Sequence, residues 1–319
     1  MFLVSPAGHT DIISAMVFWN SVYIASGSFD FTIKIWHIFD GSLSKTLTGH
    51  NGPVRALAVL RNGDLVSGSQ DTFIKIWDVE LGVEKKNLTG GFSSILTLAV
   101  LQNDDIAAGC VDRTIQIWNV SSGTIRAVFG GRSGALLALF VLPNGDLVSA
   151  GTDRRIRIWD VNSGTIKMNL TGHTNWITGL NILPNGYLVS RAEDQTIKIW
   201  DTVSGSLNKT IRMASPTSQR GYLSQISIGV LPDGRIVSGN EDGKVKIWDS
   251  ESGSLIEVLE GHTGSVFSVL AFSNIKLVSG SGDRTIKIWE VPQYGYVNIC
   301  KKNLLFKKFY LENKIYIIC

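Results

Sequence analysis

The chain has 319 residues, with 30 basic and 27 acidic side chains, a net charge of +3 and three cysteines. A chain of this length buries roughly three quarters of its unfolded surface, so the fold requires no disulfide or metal. Three cysteines without paired spacing predict a reducing compartment, the cytoplasm or the nucleus. No apolar run approaches the ~20 residues that span a bilayer.

Seven tryptophans recur along the chain at nearly constant spacing. Five of the six gaps are 41 residues and one is 48, and an aspartate lies six residues before each tryptophan. The tryptophans are Trp36, Trp77, Trp118, Trp159, Trp200, Trp248 and Trp289. A fixed period of this length indicates one supersecondary unit repeated seven times.

Each unit contains four short segments that are typical of strands. In the second unit these are residues 54–60, 65–69, 73–77 and a more polar segment at 84–88, separated by turns such as Asn62-Gly63. Seven such sheets bury both faces when they pack around an axis. We therefore predict an all-β fold, a seven-bladed β-propeller of four-stranded antiparallel blades, over residues 1–291.

Two segments compete to complete the outer edge of the last blade. Residues 2–5 align with the fourth segment of a unit, and residues 296–299 follow the last tryptophan closely enough to take the same place. We expect the N-terminal segment to complete the blade.

The tail, residues 292–319, has no repeat and a different composition. It carries five lysines and one glutamate, a net charge of +4, which leaves residues 1–291 nearly neutral at −1. Four interpretations stay open: a hairpin, a membrane-surface segment in which lysines alternate with aromatics, a disordered end, and a stretch that is not native coding sequence.

Short motifs give the repeat a family resemblance. Gly-His pairs at His9, His50, His173 and His262 each precede a tryptophan by 27 residues, and Trp-Asp pairs such as Trp77-Asp78 close several units. The chain resembles the WD-repeat family of β-propellers over residues 2–291.

The resemblance implies a structural role for the repeated polar residues. In this family, the histidine, a serine of the second strand, the turn aspartate and the tryptophan form a buried hydrogen-bonded network. The matching residues here are His9, Ser26, Asp30 and Trp36; His50, Ser67, Asp71 and Trp77; His173, Ser190, Asp194 and Trp200; and His262, Ser279, Asp283 and Trp289.

Three units depart from this pattern. The third has Gly91 and Ala108 where others have histidine and serine, and the fourth has Arg132 in the histidine position. The sixth has no Gly-His pair and seven extra residues. We expect blades three and six to be locally less stable.

The repeated ionisable residues do not point to catalysis. Four of the five histidines belong to the network, and the fifth, His37, is expected at the surface without an acid-base partner. The chain has no nucleophile elbow, phosphate loop, HExxH or CxxC motif. We expect neither an enzyme nor a site for a metal, a cofactor or a small-molecule substrate.

A loop surface is the expected functional site instead. The resemblance implies docking on the narrower face, formed by the loops between blades and the turns between second and third strands. Trp176 and Phe29 are aromatic residues in such loops, and Arg191 replaces a glycine of other units, where it either reaches this face or fills a gap near Glu193. The full set of partner-binding candidates is Trp176, Phe29, Arg132, Asn175, Arg191, Glu193, Gln70 and Glu241.

The predicted function is that of a non-catalytic scaffold or adaptor for protein partners. Alternatives are a ubiquitin-pathway substrate receptor or ubiquitin-binding propeller and, in another class, a membrane-peripheral protein that uses the basic tail. Basic residues recur two positions before most tryptophans, but ring symmetry distributes them around the body, so we expect no binding of nucleic acid.

Overall fold

The alternating segments of each repeat form antiparallel strands. The computed structural model describes residues 2–3, 8–130, 134–213, 226–291, 308–311 and 314–317. Within these ranges the chain forms strands and turns but no helix, and hence no helix that could cross a membrane. Turn pairs separate the strands: Gly63 has a φ of +88°, a conformation that glycine adopts without steric cost.

Seven four-stranded sheets form the seven blades, and each blade takes its first three strands, in chain order, from one repeat. The N-terminal strand is β1 (Phe2–Leu3). Blade 1 contains β2 (Ile13–Phe18), β3 (Tyr23–Ser28), β4 (Ile33–His37) and β5 (Leu43–Leu47). Blade 2 contains β6 (Val54–Val59), β7 (Leu65–Ser69), β8 (Ile74–Asp78) and β9 (Val83–Leu88). Blade 3 contains β10 (Ile95–Val100), β11 (Ile106–Cys110), β12 (Ile115–Asn119) and β13 (Thr124–Phe129).

The later blades repeat this order. Blade 4 contains β14 (Leu136–Val141), β15 (Leu147–Gly151), β16 (Arg155–Asp160) and β17 (Thr165–Thr171). Blade 5 contains β18 (Ile177–Ile182), β19 (Leu188–Ala192), β20 (Thr196–Trp200) and β21 (Leu207–Arg212). Blade 6 contains β22 (Ile228–Val230), β23 (Ile236–Gly239), β24 (Val245–Trp248) and β25 (Leu255–Leu259). Blade 7 contains β26 (Val266–Ser273), β27 (Lys276–Ser281) and β28 (Ile286–Glu290).

The N-terminal strand completes blade 7. Phe2 pairs with Ile288 and Leu3 with Lys287, so β1 is the fourth strand of the sheet β1-β28-β27-β26. The expectation that the N-terminal segment closes the ring is confirmed. Residues 296–299, the alternative, lie outside the described residues.

The apolar core lies between neighbouring blades. Between blades 1 and 2, for example, Ile33 and Ile35 pack in one cluster with Val54, Leu65 and Trp77. All seven repeat tryptophans are at most 4% exposed. Burying a side chain of this size is worth about 3 kcal/mol, so each tryptophan helps to hold its blade against the neighbouring one.

The strand order gives the propeller two distinct ends. We call upper face the end formed by the loops between consecutive blades and by the turns between second and third strands. The lower face carries the turns between first and second, and between third and fourth, strands. The first strands surround a central cavity of about 190 Å³, lined among others by Arg55, Leu96, Leu137 and Thr178.

The tail contains one further pair of strands. β29 (Lys308–Leu311) and β30 (Lys314–Ile317) are antiparallel, with Lys308 opposite Ile317. This agrees with the hairpin interpretation of the tail, and the membrane-surface interpretation stays a prediction.

Candidate functional site

A hydrogen-bonded chain of side chains crosses blade 1. Trp36 Nε1 donates to Ser26 Oγ over 2.8 Å, Ser26 Oγ lies 2.7 Å from His9 Nε2, and His9 Nδ1 lies 2.8 Å from Asp30 Oδ2. Because Nδ1 faces a carboxylate it holds the ring proton, and Nε2 accepts the hydroxyl proton of Ser26.

Three further blades contain the same hydrogen-bonded network, with all donor–acceptor distances between 2.7 and 2.8 Å. These chains are His50, Ser67, Asp71 and Trp77 in blade 2; His173, Ser190, Asp194 and Trp200 in blade 5; and His262, Ser279, Asp283 and Trp289 in blade 7.

The turn aspartate at the end of each chain is surrounded by donors. Asp30 accepts hydrogen bonds from the backbone N of Thr10 and from the N and Oγ1 of Thr32, besides His9. Burial alone would raise the pKa of Asp30, but the hydrogen bonds from His9 and Thr32 outweigh it and hold this pKa below its usual range. The balance is the same at Asp194, where the pKa falls to about 2. These carboxylates are thus engaged within their own blades.

Blade 4 replaces the missing imidazole with a guanidinium. Arg157 Nη1 donates to Asp153 Oδ2 over 2.6 Å, with both side chains at least nine-tenths buried. Trp159 Nε1 still donates to Ser149 Oγ over 2.8 Å. The replacement of the histidine by Arg157 was not predicted from the sequence. Arg157 is, however, the one arginine in a position that lysine holds in five other repeats, which was an available signal.

Blade 3 lacks both middle members of the chain and does not replace them. Trp118 Nε1 and Gln116 Oε1 are buried, and neither has a hydrogen-bond partner among the residues that the structure describes. Gln116 occupies part of the space of the missing imidazole: a Cβ placed on Gly91 would come within 3.2 Å of its Oε1. An unpartnered buried donor costs about 1–3 kcal/mol.

Within the described part of the chain, blade 6 has only the Trp-Ser hydrogen bond of this network. Trp248 Nε1 donates to Ser238 Oγ over 3.0 Å, and Lys246 Nζ donates to the backbone oxygen of Met213 over 3.2 Å. Its first three strands are only three or four residues long. Blade 6 therefore has fewer strand hydrogen bonds than the other blades.

The other nucleophilic and acid-base candidates are not arranged for chemistry. The expectation that His37 has no acid-base partner is wrong, because its Nδ1 lies 2.9 Å from Asp40 Oδ1 in an exposed turn, three residues along the chain. Burial, with Asp112 nearby, raises the pKa of the Cys110 thiol to about 12, so the thiolate is unavailable. No cluster of His, Cys, Asp and Glu that could hold a metal occurs in the described part of the chain.

Trp176 lies at the upper mouth of the central cavity. Its side chain is half-buried and packs against Leu96, Ala135 and Leu137 of blades 3 and 4, the two blades that precede its own. The neighbouring Asn175 is exposed. The indole thus packs on neighbouring blades and keeps part of its surface exposed.

Arg191 is buried, and its inclusion among the partner-binding candidates needs correction. Its side chain is 2% exposed, and its Nη1 donates to Thr178 Oγ1 over 2.9 Å and lies 3.5 Å from Glu193 Oε1. Of the two alternatives for Arg191, the structure agrees with the one in which its side chain fills a gap near Glu193. Five of the other six blades have glycine here and blade 4 has Ala150; in blade 2, a Cβ on Gly68 would meet Ile95 Cγ2 of the next blade at 2.5 Å.

The remaining candidates lie at the turns around the cavity mouth. Phe29 is half-exposed, and its ring centroid lies 5.1 Å from the guanidinium carbon of the buried Arg55. Gln70, Glu193 and Glu241 are partly exposed at equivalent turns, and burial, reinforced by Glu241, raises the pKa of Glu193 despite Arg191. Arg132 lies outside the described residues.

Among the residues that the structure describes, the most exposed aromatic side chain of the upper face was not predicted from the sequence. Phe92, in the loop before β10, is 92% exposed. It follows Gly91 at the position that Thr10, Asn51, Thr174 and Thr263 occupy in other repeats. A large apolar residue at a position held by small polar ones was the signal that could have identified it.

The blades, their buried Trp-Ser-His-Asp chains and the tryptophan period define a seven-bladed WD-type propeller. The WD domain, G-beta repeat family matches residues 2–37, 41–78, 82–119, 123–160, 164–201, 217–249 and 253–290. The chain therefore belongs to the WD40 family, whose members typically serve as scaffolds for protein interactions and are generally non-catalytic. Except for 217–249, which begins after β21, each matched segment joins the last strand of one blade to the first three strands of the next.

Proposed function

We propose that this chain is a non-catalytic scaffold or adaptor that binds protein partners through the loops of its upper face. The observation that carries the proposal is the contrast between the two sets of side chains. In blades 1, 2, 5 and 7 the repeated His, Asp, Ser and Trp residues are engaged inside the blades, whereas Trp176 at the cavity mouth and Phe92 in the loop before β10 keep aromatic surface open. Partly exposed aromatics on a rigid frame are typical of binding hot spots.

Trp176 is the residue that we expect to contribute most to partner binding. Its contacts with Leu96, Ala135 and Leu137 restrict the indole in one orientation, so little side-chain entropy is lost when a partner covers it. Gln70, Glu193 and Glu241 supply hydrogen-bonding groups around the same mouth, and Asn175 extends the surface outward.

Affinity purification of the full chain tests the proposal. Partners captured by the wild type should be depleted roughly tenfold with Trp176→Ala, because truncating a hot-spot aromatic costs at least 1.4 kcal/mol. Val203→Ala is the matched control, since Val203 is 89% exposed in a third-to-fourth-strand turn of the lower face. An unchanged partner set with Trp176→Ala, or an equal loss with Val203→Ala, would contradict the proposal.

A further inference from the structure

Two apolar side chains project from the upper face of blade 3. Phe92, in the loop before β10, is 92% exposed, and Val111, in the turn after β11, is 40% exposed. Two hydrogen bonds join the loop to the turn: Val111 N donates to Ser94 O over 3.1 Å, and Asp112 N donates to Ser93 Oγ over 3.0 Å. The loop that carries Phe92 and the turn that carries Val111 are therefore held next to each other.

The interior beneath Phe92 is already filled. A Cβ on the preceding Gly91 would lie 3.2 Å from Gln116 Oε1 and 3.4 Å from Trp118 Cζ2. With Gln116 in part of the space of the missing imidazole, this loop has no pocket of its own to receive a phenyl ring. Phe92 consequently leaves a full aromatic surface in water, which a binding partner could remove.

Three arginines lie on the upper side of blades 3 and 4. Arg113 lies two residues after Val111, Arg154 is in the equivalent turn of the adjacent blade 4, and Arg155 begins β16; all three are exposed. Within the described part of the chain none of the three forms an ion pair. Of the two nearby carboxylates, Asp153 is paired with the buried Arg157 and only Asp112 is exposed. Three exposed cations thus face one exposed carboxylate, a local charge of +2.

The upper face is polarised as a whole. On blades 5 and 6, Glu193, Glu241 and Asp242 lie at the corresponding turns; of the cations there, Arg191 is buried and Lys244 is paired with Glu260. A negatively charged partner is therefore attracted to blades 3 and 4 and repelled from blades 5 and 6, which sets its position and direction.

We propose that Phe92, Val111, Arg113, Arg154 and Arg155 form a docking patch, here termed the blade 3–4 patch, for an acidic protein segment that carries a large apolar side chain. This inference rests on the proposed function and specifies the chemistry of the partner. The apolar side chain of the partner covers Phe92 and Val111. Its carboxylates pair with the guanidinium groups, which present a planar fork suited to carboxylate.

A peptide fits this surface better than a nucleic acid does. A polyanion would have to continue beyond the three arginines, and the acidic turns of blades 5 and 6 limit that path. A short segment with alternating acidic and apolar residues needs only the length of two blades.

Selection of short random peptides displayed on phage, with the full chain as bait, tests the proposal. The enriched peptides should carry net negative charge and at least one Leu, Phe or Trp. Measured by fluorescence anisotropy, they should bind roughly tenfold or more weakly to Phe92→Ala and to the double variant Arg113→Ser/Arg154→Ser. Their affinity should also fall as salt is raised.

Two matched controls come from positions outside the patch. Val203→Ala removes a similarly exposed apolar side chain from the lower face, and Arg284→Ser removes an exposed arginine from the same turn position in blade 7. Neither should change peptide affinity. Enriched peptides that are neutral or basic, or whose binding is indifferent to Phe92→Ala, would overturn the proposal.

The outcomes separate this inference from the proposed function. If the enriched peptides lose affinity with Trp176→Ala but not with Phe92→Ala, the blade 3–4 patch is wrong while the upper face remains the binding surface. If no peptide is enriched, or if binding responds only to Val203→Ala, both proposals fail. Tighter binding of a single-stranded oligonucleotide than of any enriched peptide would also overturn the assignment of an acidic protein segment.

Discussion

Arg157 donates a 2.6 Å hydrogen bond to Asp153 in the one repeat that has an arginine, Arg132, at the histidine position. In blades 1, 2, 5 and 7 an imidazole N–H from the loop between blades donates to the turn carboxylate. In blade 4 the donor instead is a guanidinium of the third strand, four residues beyond the aspartate. The function of the network, a compensated buried carboxylate, is thus retained with a different residue.

This relationship predicts a large cost for removing Arg157. Arg157→Met keeps most of the apolar stem but leaves Asp153 as a buried, uncompensated carboxylate, which should lower the free energy of unfolding by about 3 kcal/mol. Urea unfolding measures this change. Arg155→Met, at an exposed site of the same strand, should stay within about 0.5 kcal/mol of the wild type.

Removing the carboxylate as well should recover part of the loss. In Arg157→Met/Asp153→Asn no buried charge remains, so we expect the double variant to be more stable than Arg157→Met alone. A double variant that is less stable than the single one would mean that Asp153 is neutralised by another group.

Blade 3 allows the opposite experiment, in which the missing acceptor for its tryptophan is restored. Ala108→Ser places a hydroxyl where Ser26, Ser67, Ser190 and Ser279 accept from their tryptophans, and so gives Trp118 Nε1 an acceptor. The expected gain is about 1 kcal/mol in the free energy of unfolding, measured by urea denaturation.

The neighbouring residue provides the control for this repair. Ala107 is equally buried, but its side chain points to the other face of the sheet, where Ala107→Ser should bury a hydroxyl in an apolar cluster and destabilise the chain. Equal effects of the two substitutions would show that Trp118 already has a partner.

The same network makes the fold sensitive to acid. The folded pKa values of Asp30, Asp71, Asp194 and Asp283 lie below their ordinary values, so these groups stabilise the fold above pH ~4 and lose that contribution as pH falls toward 2. After a discount for partial solvent exposure, each contributes on the order of 1 kcal/mol.

Denaturant midpoints between pH 7 and pH 3 measure this effect. Asp194→Asn, whose parent carboxyl has a pKa of about 2, should be less stable at pH 7 and show a shallower decline below pH 4 than the wild type. A stability that rises on acidification through this range would contradict the assignment.

Hydrogen exchange resolves the differences between blades. Blade 3 has a buried indole without an acceptor among the described residues, and blade 6 has short strands, so amides in 95–119 and 228–248 should exchange faster than those in 13–37. Uniform protection around the ring would show that neighbouring blades compensate for the missing members.

The sequence predicted the fold more completely than the binding surface, and the reason is physical. Strand order, turn positions and the network of Trp36 recur in the repeats, so each repeat is further evidence for the same local structure. Arg191 is buried through contacts with Thr178 and Glu193 of its own blade, and the cover over Trp176 comes from Leu96, Ala135 and Leu137 of blades 3 and 4. Such contacts involve positions at which the repeats differ, and the period carries no information about them.

Phe92 illustrates the same limit. Its position is exposed in other repeats as well, at Thr10, Asn51, Thr174 and Thr263, and Gln116 of β12 occupies part of the space beneath the loop. Comparison of the repeats shows that residue 92 is unusual, but only the packing shows that its ring has no place inside.

The most direct test of the account is hydroxyl-radical footprinting of the full chain with and without a captured protein partner. If the upper face is the docking surface, Phe92, Val111 and Trp176 should be protected from oxidation in the complex, while Leu81 and Val203 of the lower face react as they do in the free chain. Protection of Leu81 and Val203, with Phe92 and Trp176 unchanged, would contradict it.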